Sequence, residues 1–165
     1  MLLDFTEIPK AIAPSPDTEA FEKFAKQFFE DIFDGKIEKT AGRGADGGAD
    51  IIVLVNGQRW LVSCKHYLSS SVTASNEEDP KGRIDAHGCA KFIAFYSSSP
   101  NNSLNDKLRG IRDNRSPFDF EIFNDKDIES ALLSIQKAKG WILAARWFPK
   151  SYSKIFSQLV HQFYL

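Results

Sequence analysis

The chain is short of the residues that mark several common protein classes. It has two cysteines, Cys64 and Cys89, which cannot build a disulfide framework, and no accompanying ligand cluster at metal spacing suggests structural zinc. A reducing compartment suits such a chain, and a cytoplasmic location is expected. No run approaches the roughly 20 apolar residues that cross a bilayer. The first residues, MLLDFTEIPK, lack a basic stretch followed by a long apolar one, so neither a signal peptide nor a membrane partner is expected. Positive charge is not in excess either: 21 Lys and Arg against 22 Asp and Glu leave a net charge of -1. That excludes a protein that coats nucleic acid by bulk charge and leaves room only for a local basic patch. Internal repeats and low-complexity tracts are also missing from the sequence. What is abundant is apolar and aromatic: 42% of the 165 residues are hydrophobic and 14 are Phe, enough to fill the core of one ordinary domain.

The order of patterns predicts a mixed α/β domain. Three prolines, Pro9, Pro14 and Pro16, mark residues 1–16 as an N-terminal lead-in. "SPDTEAFEKFAKQFFEDIFDG" then reads as a helix capped by Ser15 or Asp17, with Phe21, Phe24, Ala25, Phe28 and Ile32 forming one apolar stripe. A short strand (36–40) and a glycine-rich loop lead to two strands, 50–55 and 58–67, joined at Asn56-Gly57. "LSSSVTASNEEDPKG", residues 68–82, is Ser-rich and acidic and is expected to be a mobile surface loop, too polar for burial. Further on, the patterns predict a short helix in "RIDAHGCA", a buried strand at 91–97, a helix in "NSLNDKLRGIRDN", a strand at 118–123 and a helix in "DKDIESALLSIQKA". Two short helices broken at Pro149 complete the chain. A central mixed sheet flanked by helices follows from this order. The main domain is expected at 17–137 and an aromatic helical extension at 138–165.

The hairpin carries the chemistry. Asn-Gly between alternating apolar runs is a strong two-residue turn signal, because both central residues of a type I′ turn need positive φ. Counting outward from that turn pairs Val55 with Gln58, Leu54 with Arg59, Val53 with Trp60, Ile52 with Leu61, Ile51 with Val62, and Asp50 with Ser63. Opposed residues share a face, so Asp50, Ser63 and Lys65 fall on one face, with Lys65 roughly 5–8 Å from Asp50. A cross-strand ion pair at a sheet edge would explain the two charges. Against it, the hairpin is apolar on both faces, and buried charges need partners or a metal. Gly42, Gly44, Gly47 and Gly48 crowd the preceding loop and allow another backbone to approach closely. On the first helix, Glu22 lies at the flank of the apolar stripe; it is either a solvated rim residue or a carboxylate laid against the sheet.

A helix with "FE", G-x-D-G-G-x-D opening a hairpin, and a strand ending "CKHY" resemble the Mrr-like restriction endonucleases of the PD-(D/E)xK nuclease superfamily. The likeness covers about residues 17–125 and is sharpest from Gly44 to Tyr67. It implies a mixed sheet flanked by helices and metal-assisted hydrolysis of phosphodiesters, most naturally in DNA and in a restriction or phage-defence system. By the same resemblance Asp50 binds Mg²⁺ or Mn²⁺, the Cys64 backbone carbonyl adds a ligand, and Glu22 reaches the metal through water. Lys65 orients or helps to deprotonate the attacking water, and Gly47 and Gly48 admit the scissile phosphate. The chain departs from the family at Ser63, where Glu or Gln is usual: a hydroxyl replaces an anionic ligand, which lowers metal affinity and leaves open a catalytically inactive relative that binds nucleic acid or protein.

The remaining residues of interest divide by role. His66 follows Lys65 on the opposite face and is expected to be packed or hydrogen-bonded, and Cys64 to be a small core residue. Asp46 serves either a loop turn or the outer shell of a metal. Arg43, Lys81, Arg83, Lys107, Arg109, Arg112 and Arg115 are the basic residues nearest the active edge, and each alone is a surface residue by default. Arg43, Lys81, Arg83, Lys107 and Arg109, with Gly47 and Gly48, are the candidate nucleic-acid contacts, and the run "KLRGIRDNR" offers phosphate contact as a group. The terminal aromatics Trp141, Trp147, Phe148, Tyr152, Phe156, Phe163 and Tyr164 cover either this domain's core or a homodimer or partner surface, and a structural subunit docking through that tail is a further alternative.

Overall fold

The computed structural model describes residues 1–10, 20–43 and 49–164; the side chains of 41–43, 49, 163 and 164 are outside the description. Helix α1 spans Ala20–Phe33 and is followed by β1 (Lys36–Arg43), β2 (Ala49–Val55), β3 (Gln58–Lys65), α2 (Pro80–Ala86) and β4 (Lys91–Tyr96). Then come α3 (Asn102–Asn114), β5 (Phe120–Phe123), α4 (Asp125–Leu132), α5 (Ala138–Trp147) and α6 (Pro149–Tyr164). The five strands lie side by side in chain order as one sheet. The β1-β2 and β2-β3 pairs are antiparallel; β3-β4 and β4-β5 are parallel. The architecture is α/β, a five-stranded mixed sheet with six helices packed against it. Among the described residues, no helix is long and apolar enough to cross a membrane.

Two-residue alternation along the strands feeds two cores. Ile51, Val53, Val62, Cys64, Ile93 and Phe95 face α1, α4, α5 and the N-terminal residues Leu3, Phe5 and Ile8. Ile52, Leu61, Phe92, Ala94 and Tyr96 face α2 and α3 through Ile84, Leu104 and Leu108. The apolar stripe of α1 is buried throughout, and Phe95 is its target: its ring centroid lies 5.4 Å from Phe21, 5.9 Å from Phe24, 5.1 Å from Phe28 and 5.4 Å from Phe29. Helix α1 ends on Asp34 at φ 53°, after which the Gly35 amide donates back to the Phe29 carbonyl at 2.9 Å. Gly35 is required by proximity, since a Cβ there would stand 2.7 Å from a Val53 methyl and 2.9 Å from that carbonyl oxygen. The capping residues expected for this helix, Ser15 and Asp17, lie outside the described residues.

The hairpin follows the turn. Asn56 and Gly57 take φ of 50° and 79°, the left-handed values a type I′ turn demands. The six pairs of β2 and β3 run from Val55–Gln58 to Asp50–Ser63, the register counted from the sequence. Strand β1 pairs less regularly, with register shifts between Ile37 and Lys39 and between Ala41 and Arg43. At the C-terminal end, Phe148 is fully buried, 5.0 Å from the Phe5 ring and 5.6 Å from the Phe24 ring. Pro149 is the first residue of α6, where its missing N–H costs nothing. The Glu7 carboxylate caps this helix by accepting from the Lys150 and Ser151 amides at 2.7 and 3.0 Å.

One segment departs from the sequence expectation. Residues 68–82 are not simply a solvated loop. Val72 is fully buried and bridges to Pro100, a 3-10 turn forms at Ala74–Asn76, and Glu77 is inaccessible to solvent. The polar side chains are spent on local bonds: the Thr73 amide and hydroxyl both donate to Asn76 Oδ1 at 2.8 Å. The Lys107 ammonium reaches across from α3 to the carbonyls of Ala74 and Glu77, at 3.0 and 2.6 Å. A run rich in serine and acid therefore folds inward because neighbouring elements satisfy its backbone.

Candidate functional site

The site is built where β2 starts and β3 ends. Asp50 pairs with Ser63, Ser63 with Ala94 and Lys65 with Tyr96, which puts Asp50, Ser63, Lys65 and Tyr96 on one sheet face. Ser63 and Lys65 are buried, and Asp50 is mostly so. The face is otherwise apolar, with Leu61, Phe92 and Ala94 below, so each polar group here must find a partner.

Those partners come from the segment between β3 and β4. The Glu77 carboxylate accepts from the Tyr96 hydroxyl at 2.7 Å and from Ser63 Oγ at 2.8 Å, both on Oε1. Its Oε2 accepts from Arg83 Nη1 at 2.7 Å. The same guanidinium forks onto Asp50, Nη2 to Oδ1 at 2.5 Å and Nε to Oδ2 at 3.1 Å, and its Nη2 also donates to Ser63 Oγ at 3.1 Å. Ser63 thus accepts from Arg83 and donates to Glu77. The local sequence aims Arg83: Asp79, left-handed at φ 42°, caps α2 by accepting from the Gly82 amide, and Arg83 follows in the first turns, over the Phe92 ring at 5.4 Å. Burial works against the Arg83 charge, but the Asp50 hydrogen bonds and the Glu77 charge more than offset it, so its pKa rises and it stays a cation. Burial first, and then the Glu77 charge, hold the Tyr96 phenol well above its usual range.

Glu22 approaches from the other side of the sheet. It is buried on α1, where Thr40 Oγ1 donates to it at 3.1 Å and Lys26 lies 3.3 Å away. Thr40 pairs with Ile51, a residue of the α1 face, whereas Asp50 points to the opposite face. Cys64 belongs to the α1 face too; burial, followed by the Glu22 charge, raises its thiol pKa. His66 is structural: it stacks on Phe21 at 4.7 Å and donates from Nε2 to the Ile8 carbonyl at 2.7 Å, with Nδ1 2.8 Å from the Ser97 hydroxyl. Burial depresses its pKa.

Among the described residues, the basic side chains do not form one array. Arg83 is bound to carboxylates and Lys107 to the carbonyls of Ala74 and Glu77. Lys81 pairs with Asp85 at 2.8 Å, Arg109 is largely exposed 3.9 Å from Asp106, and Arg112 lies over the Phe120 ring. Arg43 closes β1 opposite Ala49, its side chain outside the description; Gly44, Asp46, Gly47 and Gly48 are outside the described residues altogether. Sequence reading missed Glu77, the most buried acid of this cluster. The available signals were Val72, an isolated apolar residue in a polar run, and Asp79-Pro80, a helix start shortly after Glu77.

The Asp50 and Glu77 carboxylates and the Ser63 hydroxyl are oxygen donors of the kind a hard divalent cation takes. In the present arrangement the Arg83 guanidinium spans the two carboxylates, and among the described residues no three Asp, Glu, His or Cys side chains gather as a metal cluster.

A five-stranded mixed sheet that gathers buried charge at the end of an antiparallel hairpin suggests a hydrolase of the restriction-endonuclease class. The Mrr_cat family model, described as restriction endonuclease, matches residues 15–102, and the chain belongs to that family. The match begins five residues before α1, ends on the first residue of α3, and includes Glu22, Asp50, Ser63, Lys65, Glu77 and Arg83. No curated protein and no solved structure matches the chain.

Proposed function

We propose that this member of the Mrr family is a DNA endonuclease of a restriction or phage-defence system, acting in the cytoplasm with Mg²⁺ or Mn²⁺. The observation that carries this reading is the shared face of Asp50, Ser63 and Lys65 at the end of the β2-β3 hairpin. The divalent ion would supply a Lewis acid that neutralises phosphate charge and makes water nucleophilic near neutral pH. Asp50 would hold it with the Cys64 carbonyl; Glu22, which lies on the α1 side of the sheet, stays out of the inner ligand set and is assigned to its outer hydration through water alone. Lys65, a buried N–H donor on the Asp50 face, orients the attacking water and stabilises the negative charge that grows on the phosphorane oxygens. Gly47 and Gly48 are assigned to the approach of the scissile phosphate, and Arg43, Lys81 and Arg109 to flanking phosphates.

A net charge of -1 gives such an enzyme little grip on DNA by itself, which favours action as an oligomer or with a partner. The C-terminal segment 138–165 is assigned to that contact: Ile142, Phe156, Leu159 and Val160 are exposed on α5 and α6. Two observations favour a second reading, a catalytically silent DNA-binding relative: serine at position 63, and the ion pairs that engage Asp50.

Cleavage of plasmid and single-stranded DNA with Mg²⁺, Mn²⁺ or EDTA separates the two. The nuclease reading expects metal-dependent cutting that falls by roughly 10²–10⁴-fold in Asp50→Ala and in Lys65→Ala, equivalent to several kcal/mol of lost charge stabilisation. Cutting that survives both substitutions refutes the assigned site. Salt-sensitive DNA binding with no cutting under any condition supports the silent relative.

A further inference from the structure

Resting on the nuclease reading above, we propose that Glu77 is the second carboxylate of the cation site, and that the Arg83 guanidinium is an internal cation that a divalent metal ion must displace to enter. The strand that bears Lys65 offers a serine where an anionic ligand would serve a hard cation better. Glu77 delivers a carboxylate to that place from outside the strand, onto the Ser63 hydroxyl at 2.8 and 3.1 Å. Ser63 is in turn the direct cross-strand partner of Asp50.

A solvated loop acid would not be held in this way. Glu77 is completely buried, with donors from Tyr96 on β4, Ser63 on β3 and Arg83 on α2, and Lys107 of α3 clamps its own carbonyl. Three elements thus fix the carboxylate beside Asp50, and a fourth fixes its backbone. Between the two acids, Arg83 uses Nε and Nη2 on Asp50 and Nη1 on Glu77, so the fork is committed to the oxygens a metal ion would take. A second cation at those oxygens would meet the guanidinium charge at contact distance, so the two occupants exclude each other.

Arg83 has somewhere to go. It stands on a helix of seven residues, its side chain is 23% exposed, and it also touches the Glu78 carbonyl at the rim. A DNA phosphate offers a displaced guanidinium an equally good bidentate partner. Metal and DNA binding should therefore favour each other, through one side chain that leaves the carboxylates for the phosphate.

The test is Mn²⁺ binding to the metal-stripped full chain, followed by electron paramagnetic resonance, for the wild type, Arg83→Gln, and Arg83→Gln with Glu77→Gln. Arg83→Gln should bind Mn²⁺ at least about tenfold more tightly than the wild type, and adding Glu77→Gln should cancel the gain. A short duplex DNA should tighten Mn²⁺ binding to the wild type and not to Arg83→Gln. If Arg83→Gln binds no more tightly than the wild type, or if Glu77→Gln leaves its affinity unchanged, the proposal fails. Should Arg83→Gln be unfolded in EDTA, refolding in millimolar Mn²⁺ supports the proposal and continued unfolding overturns it. The two readings fail separately. Tight Mn²⁺ binding as described, with no DNA cutting by either protein, sinks the nuclease and keeps the site; metal-dependent cutting with unchanged Mn²⁺ affinity in Arg83→Gln does the reverse.

Discussion

Replacing Tyr96 by Phe removes one oxygen from the centre of the site and almost nothing else. Tyr96 is fully buried, and its hydroxyl donates to Glu77 Oε1 at 2.7 Å. The phenyl ring keeps its packing, so the loss is a hydrogen bond to an ionised acceptor that water cannot reach. Such bonds are worth about 1.5–3 kcal/mol, which for a domain of this size moves the melting temperature by roughly 3–12 °C. Ser63 and Arg83 still hold the carboxylate, which keeps the cost from rising further. Urea unfolding at pH 7, read by tryptophan fluorescence, measures it. The same pair of proteins gives a signed test at high pH. Burial and the Glu77 charge raise the folded-state pKa of Tyr96 well above its ordinary 10. Below pH 10 the phenol is protonated in both states and its contribution is complete. As the pH climbs past 10 toward the folded value, the unfolded chain ionises first and the contribution drains away. The advantage of wild type over Tyr96→Phe should therefore narrow above pH 10. A difference under about 0.5 kcal/mol at pH 7, or one that widens with alkali, would refute the buried, donor-dependent carboxylate.

Two further outcomes follow from the other face of the sheet. Phe95→Ala removes the ring on which Phe21, Phe24, Phe28 and Phe29 converge, and should cost about 3–5 kcal/mol in chemical denaturation, with no effect specific to metal binding. His66 has a folded-state pKa depressed by burial, against an ordinary value of 6.5. Its stabilising contribution is present above pH 6.5 and is lost as the pH falls through the folded value, so between pH 7.5 and 5 His66→Gln should lose less melting temperature than the wild type.

How much could be read from the sequence depended on whether a local rule fixed the geometry. Asn56-Gly57 accepts essentially one turn, and one turn sets the whole β2-β3 register, so the shared face of Asp50, Ser63 and Lys65 was legible from residue types alone. The stripe of α1 was legible for the same reason, its period leaving a single buried face. Glu77 obeys no local rule. It is drawn in by Tyr96, Ser63, Arg83 and Lys107, which are scattered over four elements, and only the assembled sheet brings them together. In sequence it is one acid among Asn76, Glu78 and Asp79, a composition that ordinarily means water. Arg83 and Lys107 read as surface residues and candidate phosphate contacts for the same reason: their acceptors are a distant aspartate and the backbone of a loop. Glu22 was legible as a residue at the edge of the stripe; the sequence pattern left open whether it was a solvated rim residue or a carboxylate laid against the sheet, and the structure buries it.

The irregular pairing of β1 bears on how copies of this chain could meet. A strand on the rim of a sheet presents unused amide and carbonyl groups, to which a neighbouring molecule can add a strand of its own. Here the rim strand shifts register twice within eight residues and carries Lys36, Glu38 and Lys39 near its start, while the opposite rim, β5, is only four residues long. Among the described residues, neither border offers a straight template. In the assembly proposed above, contact through helical surfaces would set the relative orientation of the two copies by how helices cross rather than by a continuous ladder of backbone hydrogen bonds.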